Sequence, residues 1–171
     1  MVEGHKRQSH EHRKDLAGEN KWGDMGQIIF LIIFIIGMAS DLFLLKLSDS
    51  WQHVFPWYLR IVVFLPLLLV AWFFAQRAHK KVFGEEQKEI IVIKTDVFAR
   101  IRHPMYFGSI MTFLSFVILS LSVIALVIFV VVVMFYYYLC RYEEKVLLEK
   151  LGNEYKDYMK NVPMLFPKIR I

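Results

Sequence analysis

Residues 105–140 read MYFGSIMTFLSFVILSLSVIALVIFVVVVMFYYYLC, without one charged side chain. As a single helix rising 1.5 Å per residue this run would reach about 54 Å, far beyond a hydrocarbon core of about 30 Å. It is too long for one crossing and right for two. Ser120-Leu121-Ser122 is the point where polarity and turn propensity interrupt the apolar run, so a tight turn there folds it into a helical hairpin. The arms, about 16 and 18 residues, lie near the lower limit of spanning length.

The rest of the chain agrees with a bilayer as solvent. Of 171 residues, 57% are of the AVILMFWYC set, and mean hydropathy is +0.43. A water-soluble chain of this size leaves about a third of its surface exposed and could not hide so much apolar area. Residues 25–47 form a first span and residues 57–78 a second, the latter flanked by Trp51, Trp57 and Tyr58 at one end and Arg77, His79, Lys80 and Lys81 at the other. Asp41 lies inside span one near its exit, where it is either a functional acid or a snorkelling or hydrogen-bonded one. Residues 48–56 read as a short polar loop.

Residues 1–24, with His5, His10 and His12, read as a polar mobile tail rather than a metal site. The first apolar run is too long for a signal-peptide core, so none is expected. The single Cys140 excludes an internal disulfide, and no Cys/His spacing suits a structural zinc, so no metal is expected. A net charge of +5 raises the question of nucleic acid, yet the basic residues sit beside apolar spans, which points to a membrane surface instead. The tail, the 77–102 loop and the segment after residue 140 hold nearly all of these cations. Four crossings put all three on one side, which the positive-inside rule makes cytoplasmic. In residues 141–161, Val146, Leu147, Leu151, Tyr155 and Tyr158 recur at helical spacing. They predict an amphipathic cytosolic helix continuing from span four and ending before Pro163. The expected fold is all-α and polytopic, one membrane domain over residues 25–171.

Gly-rich nucleotide loops, HExxH and GxSxG are missing. A hairpin, however, returns its second arm beside the start of its first, which makes Arg102, His103, Tyr106, Arg141, Glu143 and Glu144 neighbours. Adjacent glutamates point about 100° apart on a helix, so one can face the bundle while the other faces water. The inward acid either closes an ion pair with Arg102 or His103, or holds a ligand ammonium or ribose hydroxyl. Pro104 suits a first helical turn, with His103 as cap residue beside the helix's free amides. Gly108 permits a close backbone approach.

Arg102-His103-Pro104-Met105-Tyr106-Phe107-Gly108, followed by Glu143-Glu144, Leu147, Leu151-Gly152, Tyr155, Tyr158, Val162-Pro163 and Pro167, resembles the isoprenylcysteine carboxyl methyltransferase and phospholipid methyltransferase superfamily. The resemblance covers roughly residues 90–167. It implies an integral-membrane methyltransferase using S-adenosylmethionine, with a lipid, prenylated or small hydrophobic acceptor entering laterally from the bilayer. By position, Ile90, Ile91, Val92, Ile93 and Phe98 would line the cofactor, His103, Pro104, Met105 and Tyr106 would contact it, and Glu143 would hold its polar end. Arg102, Arg141 and Glu144 would serve the reaction. Two departures stand out: Asp96 replaces a common glycine, and Leu139 replaces the arginine of members that methylate a carboxylate. Two other readings remain, an NADPH-dependent reductase related to sterol reductases and a noncatalytic four-helix scaffold.

Overall fold

The computed structural model describes residues 21–83 and 91–167, and the histidine-bearing part of the tail lies outside them. The elements are α1 (Lys21–Ala39) running into a π-helical turn (Ser40–Leu45), α2 (Asp49–Val54), α3 (Trp57–Phe83), a 3-10 turn (Asp96–Ala99), α4 (Pro104–Ser120) and α5 (Val123–Asn161). No strand occurs among the described residues. The protein is an all-α membrane protein. Three helical stretches are long and apolar enough to cross a bilayer, Met25–Leu45, Trp57–Val82 and Val123–Asn161, and Pro104–Ser120 is a shorter apolar helix.

The hairpin forms where the sequence places it. Leu121 takes a left-handed conformation (φ 50°) as the cap of α4, and Ser122 caps α5 by accepting the Ala125 amide at 3.1 Å. Helix α4 is the centre of the bundle, burying Phe107, Gly108, Ile110, Phe113, Ser115 and Val117. On one flank α3 comes so close that a Cβ on Gly108 would stand 2.9 Å from the Ala71 carbonyl. Small residues let backbones approach where lipid supplies no hydrophobic drive between helices. On the other flank α1 packs on α4 and α5, with Phe34 edge-on to Phe113 at 4.9 Å and Phe30 against Phe135 at 4.9 Å. Outward side chains such as Ile28, Ile36, Val62 and Leu69 are apolar and exposed, the pattern of a protein surrounded by lipid.

Asp41 is the hydrogen-bonded acid rather than a snorkelling one. The π turn, closed by Lys46 at φ 52°, brings its side chain to zero exposure. Its Oδ2 accepts from Ser48 Oγ and Ser122 Oγ, both at 2.5 Å, and from the Ile124 amide at 3.4 Å. Ser48 Oγ in turn accepts the Val123 amide at 2.8 Å. The carboxylate therefore caps α5, where unpaired amides and the helix dipole favour negative charge.

Three local expectations need correction. Residues 48–56 are largely the short helix α2, because Ser48 and Asp49 start a turn that the apolar Trp51 and Val54 continue. Helix α1 begins at Lys21, ahead of the predicted tail boundary. The helix after span four is not continuous to Asn161, because Gly152 has φ 56° and ψ −129°, a break that only glycine adopts at ease.

Candidate functional site

The polar cluster sits where the first turn of α4 meets the middle of α5. Pro104 opens α4 as its first residue, so its missing N–H leaves no bond unmade, and His103 precedes it as cap. Both glutamates turn toward this point. Arg102 Nε donates to Glu144 Oε1 at 2.6 Å, and His103 Nε2 lies 3.3 Å from the same oxygen. His103 Nδ1 lies 3.5 Å from Glu143 Oε2, and the Tyr106 hydroxyl donates to Glu143 Oε1 through a short bond. The Tyr106 ring stacks on His103 with centroids 5.8 Å apart and is backed by Tyr136 at 5.3 Å.

Flanked by a carboxylate at each ring nitrogen, His103 is placed to donate twice, as an imidazolium does. Burial alone would lower its pKa, but hydrogen bonding with Cys140, Glu143 and Glu144 outweighs it and holds the imidazole well above its ordinary 6.5. Glu144 is nearly fully buried, yet its Oε2 has no hydrogen-bond partner among the described residues. A buried carboxylate oxygen without a donor is costly in a finished protein and is what a donor-bearing ligand would satisfy.

A strap from the C-terminal segment closes one side. Arg102 Nη1 donates to the carbonyls of Met159 (2.8 Å) and Val162 (2.6 Å), while the Arg102 and His103 amides donate to Pro163 (2.9 Å) and Met164 (3.1 Å). The preceding loop is pinned by Tyr158, whose hydroxyl donates to the Phe98 carbonyl at 2.6 Å, and by Lys94 paired with Glu154 at 2.7 Å. On the outer side an open cleft of about 450 Å³ is lined by Tyr138, Arg141, Tyr142, Glu144, Lys145, Leu148 and Met159. That volume lies in the range of small-molecule sites.

The family described as phospholipid methyltransferase matches residues 61–154, more than half of the chain. The chain belongs to the phospholipid methyltransferase family. No curated protein and no solved structure matches it significantly. The matched segment holds most of α3, all of α4 and the glutamate pair, so the polar cluster lies inside it, while Tyr158 and the strap from Met159 to Met164 lie beyond it.

The sequence-predicted residues divide into groups. Arg102, His103, Tyr106, Glu143 and Glu144 converge, with Pro104 buried at the helix start. Arg141 stands apart from them, exposed on the cleft. Val92, Ile93 and Phe98 are half-buried, Ile91 and Met105 are exposed, and Ile90 lies outside the described residues. Leu139 is buried, with no cation in its place. Asp96 takes φ 57°, a left-handed conformation, which is why glycine suits that position; Asp is among the few side chains that tolerate it, and here it also pairs with Arg77 at 3.1 Å. Sequence reasoning passed over Tyr136, Tyr138, Tyr142, Lys145 and Met159. The signal for most of them was the three- and four-residue spacing of 138, 141, 142, 145 and 148 along one helix face.

Proposed function

We propose that the protein transfers a methyl group from S-adenosylmethionine to a lipid or lipidated acceptor at the cytosol-facing rim of the membrane. The observation that carries this reading is the buried convergence of two carboxylates, His103 and Tyr106 inside the family-matched segment, with one carboxylate oxygen lacking a donor. These groups fit the polar end of the methyl donor, whose ammonium and ribose hydroxyls are donors and whose sulfonium is a cation. Bound there, it would supply an electrophilic methyl carbon.

The chain's own residues would do the following. Glu143, held by Tyr106 and His103, and Glu144, held by Arg102 and His103, present fixed negative charge instead of mobile side chains. Arg102 is committed to Glu144 and to two carbonyls of the strap, so it positions that acid. The strap and the Tyr155–Tyr158 stretch exclude water on the cytosolic side, while the cleft stays open for an acceptor arriving laterally. In-line methyl transfer asks mainly for alignment of nucleophile and methyl carbon, which such preorganisation supplies. The excess of cations in the tail, the 77–102 loop and the segment after residue 140 supports a cytoplasmic side for this site and both termini by the positive-inside rule.

Thermal unfolding in detergent tests the reading. S-adenosylhomocysteine at a hundredfold excess over its Kd should raise Tm by about 5–10 °C, and NADPH should not. Glu143→Ala and His103→Ala should each abolish the shift while the protein still inserts. A shift retained in both variants overturns the site.

A further inference from the structure

With His103 protonated, the charges at the candidate site cancel. Arg102 and His103 face Glu144 and Glu143, and the four side chains are between 3% and 15% exposed. The described groups packed around them add no charge near neutral pH: Tyr106 of α4, Tyr136 and Cys140 of α5, the backbone carbonyls of the strap, and the buried phenols of Tyr155 and Tyr158. Arg141 and Lys145 lie on the open cleft, exposed to solvent. A ligand that brings a net positive charge into this cluster leaves one charge uncompensated, where burial makes that costly. Arg102 cannot lose its proton, and a carboxylate that gained one would worsen the imbalance. His103 is the group that can change charge near neutral pH. Its two contacts differ. Nε2 lies 3.3 Å from Glu144 Oε1, whereas Nδ1 stands farther off, 3.5 Å from Glu143 Oε2. Glu144 also has Arg102, while among the described residues Glu143 has His103 as its charged partner and Tyr106 as a neutral one.

We infer that the site takes up the methyl donor in exchange for the proton on His103 Nδ1, and so prefers the sulfonium-bearing donor to its thioether product. The inference rests on the methyl-transfer reading above and deepens it. The ammonium and carboxylate of the donor cancel, so the sulfonium leaves it one net positive charge, which the product lacks. On binding, the Nδ1–H bond breaks, its electron pair stays on nitrogen, the proton passes to solvent, and the ring keeps its Nε2–H toward Glu144. The product binds beside the intact imidazolium. His103 thereby tells fresh donor from spent product. The carboxylates that hold the imidazole above its ordinary range ensure that the proton is there to be released at neutral pH. The sign follows: below the folded value of His103 each donor bound costs one proton, so donor affinity rises with pH and levels off once that value is passed, while product affinity stays flat.

Isothermal titration calorimetry of the full-length protein in a neutral detergent, run at one pH in phosphate and in Tris, counts protons through the difference in buffer ionisation heat. At about pH 7, S-adenosylmethionine should release about one proton per molecule bound and S-adenosylhomocysteine close to none. From about pH 6 upward, the affinity ratio of donor to product should rise by up to about tenfold per pH unit before it levels off. His103→Gln should remove the release and flatten the ratio, and release that persists in it overturns the assignment. His53→Gln and His79→Gln, exposed histidines outside the cluster, should release as the parent does, and a loss of release in either overturns it as well. The parent protein decides the matter even where the His103 variant binds neither ligand. Equal proton counts for the two ligands, or none with the donor, overturn the inference and leave the methyl-transfer reading in place. If neither ligand binds, that reading falls and this one with it.

Discussion

His103 carries the clearest consequence at the scale of one residue. Its imidazolium is favoured in the folded protein by Glu143 and Glu144, so its pKa is raised over that of the unfolded chain. The sign follows: the stabilisation is complete below about pH 6.5, the unfolded value, and is lost as pH rises through the higher folded value. Melting temperatures measured from pH 6 upward should therefore fall on the alkaline side, and His103→Gln should flatten that part of the profile. A profile equally steep in the variant would mean that other groups set it. Asp96 gives a second test. Its left-handed backbone favours glycine, while its ion pair with Arg77 is largely exposed and worth little. Asp96→Gly should leave chemical-denaturation stability within about 1 kcal/mol of the parent, whereas Asp96→Val, β-branched at positive φ, should cost about 2 kcal/mol. The departure from the family's glycine was legible in the sequence; the backbone conformation that makes it tolerable was not, since it depends on how the loop returns to α4.

At the scale of elements, the hairpin could be read from the chain because a charge-free run of that length has only one way to satisfy its backbone in lipid. The meeting of Arg102 and His103 with the glutamates followed from it without further assumption. Two other features left no such trace. A π turn adds one residue to a helix and barely alters an apolar pattern, so Ser40–Leu45 read as ordinary span. Gly152 fell inside the single helix expected over residues 141–161, although it is a break just ahead of the buried Tyr155 and Tyr158. A Cβ at Gly152 meets nothing within 4 Å, so Gly152→Ala tests conformation alone. It should cost about 1–3 kcal/mol and weaken S-adenosylhomocysteine binding by loosening the strap, both readable by thermal shift. A variant as stable and as tight-binding as the parent would show that the break is dispensable.

At the scale of the whole molecule, the polar groups gather at the two ends of an otherwise apolar bundle. One end is the candidate site. The other is the Asp41 cap, where span one, the Ser48 segment and the hairpin turn share a single carboxylate. Sequence alone left Asp41 undecided between function and structure, because its partners come from residues 7 and 81 positions away. Asp41→Ala should strip Ser48, Ser122 and the Ile124 amide of their acceptor at once and cost about 3 kcal/mol. Asp41→Asn, which keeps an acceptor, should recover part of it, and neither change should alter the ligand specificity at the opposite end. Retained stability in the alanine variant would remove the capping role.

The strap has a practical corollary. Because the carbonyls of Val162, Pro163 and Met164 engage Arg102 and His103, residues 162–164 form a wall of the candidate site. A protease cut after Asn161 would leave the Arg102 guanidinium and two amides short of acceptors, so the damage should register at the candidate site, as a lost S-adenosylhomocysteine thermal shift, before the bundle itself came apart.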